Sequence, residues 1–283
     1  MNTTELKLAA ARSRRNIVRM VQAGGSGHMG GAMSAVDIIT ALYFDKMNVD
    51  PKNPCMQERD RFLISAGHKA MAQYAVLAEK GFFSRELLDT YGRIGTALPG
   101  HPDMKKLPGI EANTGALGHG MAIGCGMALA LKDMKKMPKV YIVMGDGELA
   151  EGSNWEAMAV AAHHRIGNLT VFLDRNRLQI SGQTSQVMSY EPVKYKFRSF
   201  GWETFEIDGN RMEEITSLLE DLDFYNGRPK IVVADTVKSK GISFAEGKKE
   251  YHYWKPKGNE LEEAFREVDE TIRKLEEQLE EAE

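Results

Sequence analysis

The chain has 283 residues, of which 42% are hydrophobic, and a formal net charge of −3 at pH 7. This nearly balanced charge does not favour binding to nucleic acid or to an anionic membrane surface. No apolar run approaches the ~20 residues that span a bilayer, and the charged N-terminal segment lacks the apolar stretch of a signal peptide, so we expect neither. The two cysteines, Cys55 and Cys125, lack the spacing of metal ligands, which fits a reducing cytoplasm better than a disulfide scaffold.

The first predicted helix covers Thr4–Gln22, in which apolar residues recur at helical spacing. A glycine-rich loop follows over Ala23–Gly31 and carries Ser26 and His28. Because this loop has little Cβ bulk, we expect its backbone to lie against a ligand. An amphipathic helix capped by its first residue is predicted over Ser34–Met47.

Two further histidines lie at positions that suit a binding site. The segment Arg61–Ser65 is predicted to be a strand, and His68 follows its carboxyl end, ahead of a helix that runs to Glu79. After a short capped helix over Ser84–Tyr91, His101 lies in a loop that prolines flank on both sides. The prolines make this loop stiff, and a rigidly held titratable group is what general acid–base catalysis requires.

A long helix is predicted from about Gly118 to Lys135, after the segment Asn113–Leu117. Its glycines and alanines would allow the helix to pack closely against a sheet.

Two apolar, β-branched runs, Val140–Met144 and Leu169–Leu173, flank a helix-like segment and predict a βαβ unit of a parallel sheet. The loop Gly145-Asp146-Gly147 follows the first run, and Asn176 follows the second. Because both loops would face one crevice at the carboxyl edge of the sheet, we expect a ligand there. The glycines let the backbone approach a bulky anion, the carboxylate and amide oxygens suit Mg²⁺, and a helix N-terminus after Gly147 would add N–H donors. The residues therefore predict a Mg²⁺–diphosphate site.

The rest of the chain continues the alternation of strands and helices. A helix is predicted over Pro192–Phe200, and strands over Thr204–Ile207 and Lys230–Asp235 are joined by a helix over Met212–Tyr225. This alternation predicts an α/β fold with a parallel sheet flanked by helices on both faces. From Asn259 to Glu283 the composition shifts to Glu, Leu and Lys, and an apolar stripe at helical spacing predicts an amphipathic helix with a mostly acidic outer face. We therefore divide the chain into a domain over 1–258 and a C-terminal helix over 259–283.

The loop around Asp146, with Asn176 placed 30 residues later, resembles the thiamine diphosphate motif. The extended pattern, Gly145 to Gly152 followed by Trp155-Glu156-Ala157, is similar to transketolases in particular. Further segments resemble that family: Ser26-Gly27-His28, Ser65-Ala66-Gly67-His68, Gly100-His101-Pro102, Thr114 to Gly120, Lys238 to Gly241 and Tyr251 to Trp254. Three residues depart from the family pattern, namely Met29 for Pro, His119 for Gln and Tyr253 for Gly, and the last makes the assignment of His252 weaker than the others.

The resemblance implies the thiamine diphosphate-binding fold, with thiamine diphosphate and Mg²⁺ as cofactors. It implies that Asp146, Asn176 and the backbone carbonyl of Leu178 hold the metal. Catalytic roles are implied for His28, His68, His101 and His252, which would orient hydroxyls and move protons. Cofactor contacts are implied for Ser26, His68, Gly115, Ala116, Leu117, Gly145, Asp146, Gly147, Asn176, Lys238 and His252.

The resemblance spans roughly Ser26–His252, which is the N-terminal part of a full transketolase, and no further strand–helix alternation follows Asp235. In this family a separate pyrimidine-binding domain activates the cofactor. We therefore hypothesise that the chain is the diphosphate-binding subunit of a split transketolase, completed by a C-terminal transketolase subunit in an A2B2 assembly. Such an enzyme transfers a two-carbon ketol unit from a ketose phosphate to an aldose, and the sequence leaves both sugars open.

Two alternatives remain at this stage. The first is a subunit of another split thiamine diphosphate enzyme, such as the α subunit of a 2-oxoacid dehydrogenase, which shares the metal motif but lacks this set of histidines. The second is a non-catalytic module that binds thiamine diphosphate.

Overall fold

The computed structural model describes residues 1–134 and 137–282. Within these residues, five parallel strands form one sheet in the order β1-β2-β3-β5-β4. The strands are β1 Arg61–Ile64, β2 Val140–Gly145, β3 Leu169–Arg175, β4 Glu203–Asp208 and β5 Lys230–Asp235. The parallel sheet is therefore confirmed, with each predicted strand in place.

Helices cover both faces of this sheet, as the sequence predicts. They are α1 Thr3–Gly24, α2 Met29–Ala41, α3 Ala70–Lys80, α4 His119–Leu131, α5 Gly152–His163, α6 Thr184–Val187, α7 Val193–Ser199, α8 Met212–Asp221 and α9 Glu260–Glu280. Alternate residues of β2 belong to two separate cores: Tyr141 and Val143 pack with α1, α2 and α3, whereas Ile142 and Met144 pack with α4 and α5. Because both faces are covered, β2 is buried along its whole length.

Helix α4 packs closely against the strands, and its glycines make this approach possible. A Cβ atom on Gly120 would lie 2.4 Å from Ser65 Oγ, and one on Gly124 would lie 2.4 Å from Ile142 Cδ1. This confirms the expected packing role of the small residues. The helix ends at Leu131, and its predicted end at Lys135 lies outside the described residues.

The start of α2 differs from the prediction. The helix begins at Met29 after His28, so the glycine-rich loop is shorter than expected and Ser34 lies inside the helix rather than capping it. Every residue of α2 is buried, and burial between α1, α3 and the sheet outweighs the low helix propensity of the Gly30-Gly31 pair. The Ser34 hydroxyl donates instead to Asp174 Oδ2 at 2.6 Å.

Other boundaries also move by a turn or less. The segment after β1 forms a short 3₁₀ turn over Gly67–Lys69 before α3, and the helix predicted over Ser84–Tyr91 is a 3₁₀ helix over Arg85–Thr90. Helix α8 ends at Asp221, short of the predicted Tyr225, because Leu222 adopts an extended backbone conformation.

The predicted C-terminal amphipathic helix is α9, and it packs against α1. Its residues Ala264 and Val268 join the core, and Arg15 of α1 donates to Asp269 at 2.6 Å. Glu283, the last residue of the predicted helix, lies outside the described residues, and the domain boundary at residue 258 stays a prediction. Among the helices of the described residues, none is both long and apolar enough to cross a membrane.

Candidate active site

The carboxyl ends of β1, β2, β3 and β5 surround a cavity of 310 Å³. Each strand is followed by residues that line it, because parallel strands all end at the same edge of the sheet. Eleven of the residues singled out from the sequence line this cavity: His28, His68, Gly115, Leu117, Gly145, Asp146, Gly147, Asn176, Leu178, Lys238 and His252. The structure thus brings segments from seven parts of the chain to one place.

Asp146, Asn176 and Leu178 place three kinds of oxygen ligand at the ends of β2 and β3. Asp146 accepts hydrogen bonds from the backbone N–H of Gly147 at 2.8 Å and from that of Arg177 at 2.7 Å. The second bond ties the Asp146 carboxylate to the loop that carries Asn176, whose Oδ1 accepts from Leu178 N at 3.2 Å. The Leu178 carbonyl accepts from Lys238 Nζ at 2.9 Å.

These three residues fit a small divalent cation. Burial and the nearby charge of Asp174 raise the pKa of Asp146 to about 6, and a cation beside the carboxylate would favour its ionised form. The Leu178 carbonyl accepts from the Lys238 ammonium, so its oxygen faces the interior of the site, where a backbone oxygen can bind a cation. No cluster of three His, Cys, Asp or Glu in the described residues could hold a metal, so a cation here would rely on amide and backbone oxygens, as hard cations such as Mg²⁺ can.

Asp174 on β3 organises the floor of the cavity. Its carboxylate accepts from Lys69 Nζ at 2.5 Å, from Ser34 Oγ at 2.6 Å, from Asn176 Nδ2 at 3.3 Å and from the Thr236 hydroxyl. Asp174 is fully buried, and although burial opposes its ionisation, the Lys69 ammonium and these hydrogen bonds lower the pKa of the carboxyl. The network joins β1, α2, β3 and β5 beneath the proposed metal ligands.

Glu148, two residues after Asp146, also connects separate segments of the site through hydrogen bonds to its carboxylate. Its buried carboxylate accepts from Ser65 Oγ at 2.6 Å, from Gly118 N at 2.9 Å and from Gly145 N at 3.3 Å. Burial raises the pKa of Glu148 despite these hydrogen bonds. The contacts fix the turn after β2 against the end of β1 and the start of α4.

The four histidines converge around His28. The ring centroids of His68, His252 and His101 lie 5.5, 5.6 and 6.4 Å from that of His28, and those of His68 and His252 are 5.2 Å apart. They come from four separate segments of the chain, so no local pattern places them together. Their convergence places several hydrogen-bonding groups around one space beside the cavity.

An antiparallel bridge between Gly27 and Trp254 brings two of these segments together. Gly27 N donates to Trp254 O at 2.9 Å, and Trp254 N donates to Gly27 O at 2.8 Å. Beside the bridge, the Tyr253 ring packs edge-on against His28 with a centroid distance of 4.7 Å, and its hydroxyl lies 2.8 Å from Ser26 Oγ. Ser26 therefore lies at the rim rather than in the lining of the cavity.

The inner histidines are neutral at physiological pH. Burial, followed by the charge of Lys69, lowers the pKa of His68 to about 2, and burial, followed by Lys238, lowers the pKa of His252 to about 3. Burial also lowers the pKa of His28. Because Lys238 Nζ can only donate in its 2.9 Å contact with His252 Nδ1, that nitrogen accepts, and neutral His252 carries its proton on Nε2.

The low pKa of His68 makes the metal-free chain lose stability as the pH falls. Below its unfolded pKa of 6.5 the unfolded chain binds a proton that the folded chain does not, so His68 lowers the free energy of unfolding by about 1.4 kcal/mol per pH unit. We expect His68→Gln to remove this slope between pH 6.5 and 5, measured by urea unfolding in EDTA.

The comparison with wild type isolates His68 from the other groups that face it. Lys69 and Lys238 face His68 with their positive charges. His252 and His28, whose pKa values are also lowered, add slopes of the same sign in both proteins, and Asp146, with its raised pKa, contributes a slope of the opposite sign between about pH 4 and 6. An unchanged slope in His68→Gln would mean that His68 titrates normally in the folded chain.

The remaining predicted residues occupy distinct positions. A Cβ atom on Gly115 would lie 2.9 Å from His101 Cδ2, so this glycine makes room for His101, which is exposed at the mouth. Ala116 is exposed and does not line the cavity. A Cβ atom on Gly147 would lie 2.8 Å from Gln179 Cγ, and the buried Gln179 Nε2 has no acceptor among the described residues. That amide is a donor available to an anion beside Gly147.

Sequence reasoning missed several residues of the site. It assigned no role to Lys69, Asp174, Glu148 or Gln179, although all but Asp174 line the cavity. Asp174 carried a signal, because a charged residue directly after the apolar run Leu169–Leu173 requires a partner when it is buried. Nothing local in the sequence distinguishes Gln179.

Comparison with known families gives one match over most of the chain. Residues 7–268 match the family described as transketolase, thiamine diphosphate binding domain. The match includes every residue that the sequence analysis assigned to the site.

Among curated proteins, two similar chains carry names of transketolase subunits. The chain is 45% identical over 276 residues to a subunit of the apulose-4-phosphate transketolase of Phocaeicola vulgatus, and the match covers 98% of each chain. It is 45% identical over 232 residues to the 6-deoxy-6-sulfo-D-fructose transketolase subunit SqwG of a Clostridium species, and this match covers 82% of this chain and 84% of the relative.

Among solved structures, the transketolase of Campylobacter jejuni superposes with a TM-score of 0.83 at 29% identity. The superposition covers 99% of this chain and 49% of that transketolase, so the chain spans about half the length of that protein.

Proposed function

The chain belongs to the transketolase family, and we propose that it is the diphosphate-binding subunit of a two-chain transketolase. In this proposal the enzyme transfers a two-carbon ketol unit from a ketose phosphate to an aldose or aldose phosphate. The companion chain is a C-terminal transketolase subunit that contributes the pyrimidine-binding part of the active site.

The proposal rests on a comparison of this chain's length with the lengths of two similar proteins. The chain spans 98% of a relative whose name describes one subunit of a transketolase, but only 49% of a solved transketolase. In the proposal, this chain supplies one side of the cavity at the carboxyl edge of the sheet and the companion chain supplies the other. An A2B2 assembly in the cytoplasm is the arrangement that we propose, and the unpaired Cys55 and Cys125 suit a reducing compartment.

Thiamine diphosphate and Mg²⁺ are the proposed cofactors, and the residues present fit both. When bound, thiamine diphosphate supplies the electron sink needed to break a carbon–carbon bond of a ketose. Asp146, Asn176 and the Leu178 carbonyl would hold the metal, and the Gln179 amide, which has no acceptor among the described residues, would donate to the diphosphate beside Gly147. Among the other proposed cofactor contacts, Gly115 and Leu117 line the cavity, whereas Ser26 and Ala116 lie outside its lining.

The histidines of this chain bind and orient the sugar in the proposal. Neutral His68 can donate one hydrogen bond and accept another, and neutral His252, whose Nδ1 accepts from Lys238, can donate from Nε2. Both are suited to fix hydroxyl groups rather than to act as strong acids. His28 and the exposed His101 lie nearer the mouth, where a proton can exchange with solvent. This set of four histidines favours a sugar substrate over the 2-oxoacid of the dehydrogenase-like alternative.

The names of two relatives suggest which kind of ketose this enzyme uses. One acts on apulose-4-phosphate and another on 6-deoxy-6-sulfo-D-fructose, so the ketose of this enzyme is proposed to be a specialised anionic sugar rather than an ordinary pentose phosphate.

Co-expression with the companion subunit tests the proposal. We expect each purified chain to be inactive alone and the complex to transfer a two-carbon unit from an anionic ketose to an aldose, with both thiamine diphosphate and Mg²⁺ required. The donors in the screen are xylulose 5-phosphate, apulose 4-phosphate and 6-deoxy-6-sulfofructose, each with glyceraldehyde 3-phosphate and ribose 5-phosphate as acceptors.

Two results would contradict the proposal. Full activity of the isolated chain would show that no companion completes the site. A complex that binds thiamine diphosphate but turns over none of these donors would favour the non-catalytic binding module.

A further inference from the structure

Two buried lysines face the same cavity, and only one of them has an anionic partner among the described residues. Lys69 and Lys238 are 3% and 2% exposed and both line the 310 Å³ cavity. Lys69 Nζ donates to the Asp174 carboxylate at 2.5 Å, whereas Lys238 Nζ contacts the neutral Leu178 carbonyl and His252 Nδ1, each at 2.9 Å. Burying a cation among neutral groups is costly, so the cavity favours an anion.

The first turn of α2 is shaped to admit both lysines. A Cβ atom on Gly30 would lie 3.0 Å from Lys238 Cε, and one on Gly31 would lie 2.9 Å from Lys69 Cε. The adjacent glycines therefore leave a channel for each lysine stem. This accounts for two residues of poor helix propensity in a buried helix.

The position of Lys69 relative to the turn after β2 gives its ammonium access to a ligand. A Cβ atom on Gly145 would lie 3.4 Å from Lys69 Nζ, so the absence of a side chain at Gly145 leaves the ammonium open to the space beside Asp146. One of its three protons is used by Asp174, which leaves two donors for another acceptor. Burial, followed by the charge of Lys69, lowers the pKa of Lys238, in keeping with the position of both lysines in the lining of one cavity.

We infer that Lys69 is a diphosphate-binding residue and forms, with Lys238, a two-lysine clamp that the Gly30-Gly31 pair makes possible. The inference rests on the proposed function, because it assigns the diphosphate of the cofactor as the anion. In the clamp, Asp174 accepts one proton of the Lys69 ammonium and fixes its position. The other two ammonium protons donate to phosphate oxygens. Lys69 follows His68 directly, so one turn of chain carries both a sugar-orienting and a phosphate-binding side chain.

Calorimetric titration with three ligands in Mg²⁺ buffer tests the clamp: thiamine diphosphate, inorganic pyrophosphate and thiamine. We expect Lys69→Met to weaken binding of the first two about 10- to 100-fold, the loss typical of a hydrogen bond to a charged group, and to leave thiamine binding unchanged. Lys69→Arg should retain most of the affinity. Lys52→Met, which removes an exposed lysine of a surface turn, should bind as wild type does.

A second variant separates binding from folding. Lys69→Met leaves Asp174 without its cation, so the double variant K69Q/D174N removes both charges and keeps polar side chains at both positions. It should show the same selective loss of diphosphate and pyrophosphate binding. Equal weakening of all three ligands, or wild-type affinity for pyrophosphate in both variants, would overturn the inference.

The pyrophosphate titration distinguishes the two proposals. If the wild-type chain binds pyrophosphate through Lys69 but does not bind thiamine diphosphate, with or without the companion subunit, the clamp stands and the proposed function fails. If it binds thiamine diphosphate equally well with and without Lys69, the function stands and the clamp fails. If it binds neither ligand, both fail.

Discussion

Replacing Asp146 by Ala is expected to reduce Mg²⁺-dependent binding of thiamine diphosphate by more than about 100-fold. Asp146 is the one carboxylate among the three proposed metal ligands, and loss of an outer-shell partner alone typically costs 10- to 100-fold in metal affinity. The substitution also removes the acceptor for Arg177 N, so the loop that carries Asn176 would lose its tie to β2. Titration calorimetry at fixed Mg²⁺, and titration of Mg²⁺ at fixed cofactor, would measure both losses.

Asp235→Asn is the matched control for this prediction. Asp235 lies at the end of β5, pairs with Arg175 at 2.5 Å and does not line the cavity. Its substitution also removes one negative charge from the same edge of the sheet, so it should change cofactor affinity by less than about threefold if only local charge density is altered. Wild-type affinity in Asp146→Ala would contradict the proposed metal site.

The second large effect concerns stability. Asp174→Ala is expected to lower the free energy of unfolding by about 3–5 kcal/mol, the cost of leaving a buried ion pair with one member. The substitution leaves the buried Lys69 ammonium without its anionic partner and removes the acceptor of the Ser34 and Thr236 hydroxyls. Urea unfolding at pH 7 in EDTA, without cofactor, would measure the change in the absence of ligand linkage.

A double-mutant cycle identifies the cause of that loss. If the stranded cation dominates, adding Lys69→Met to Asp174→Ala should recover part of the stability, because the unpaired charge is removed. Asp269→Ala, which breaks the exposed contact with Arg15, should cost less than about 1 kcal/mol. If Asp174→Ala also lowered the free energy of unfolding by less than about 1 kcal/mol, the buried network would contribute little to folding.

The sheet and the central loops could be predicted because their signals are local. An apolar, β-branched run such as Val140–Met144 has few alternatives to a buried strand, and the carboxyl ends of neighbouring parallel strands must meet. Asp146 and Asn176 therefore could be placed at one edge from the sequence alone. The carbonyl of Leu178 came from the resemblance, since a backbone oxygen leaves no trace in residue type.

The start of α2 could not be predicted because its cause is tertiary. Two successive glycines usually indicate a loop, but here they lie in a buried helix whose neighbours are the stems of Lys69 and Lys238. The same reasoning explains Ser34, which resembles an N-cap in sequence yet serves Asp174, 140 residues away. Contacts at such separation follow from packing and cannot be deduced from propensity.

The convergence of the histidines was expected only through the resemblance. His28 and His252 are joined by the bridge between Gly27 and Trp254, which pairs two segments with no strand pattern. Their low pKa values also depend on that convergence, because burial and the nearby lysines together disfavour the charged form. Of the two roles that the resemblance implies, orienting hydroxyls and moving protons, the low pKa values favour the first for the inner pair, and both roles stay predictions.

The most direct test of the account is a crystal structure of the chain with its companion subunit, soaked with thiamine diphosphate and Mn²⁺ in place of Mg²⁺ so that anomalous scattering locates the metal. We predict one cation about 2.0–2.2 Å from an Asp146 carboxylate oxygen, Asn176 Oδ1 and the Leu178 carbonyl, and bridged to the diphosphate. A diphosphate bound without a cation between these residues, or a cation held by other ligands, would contradict the central claim.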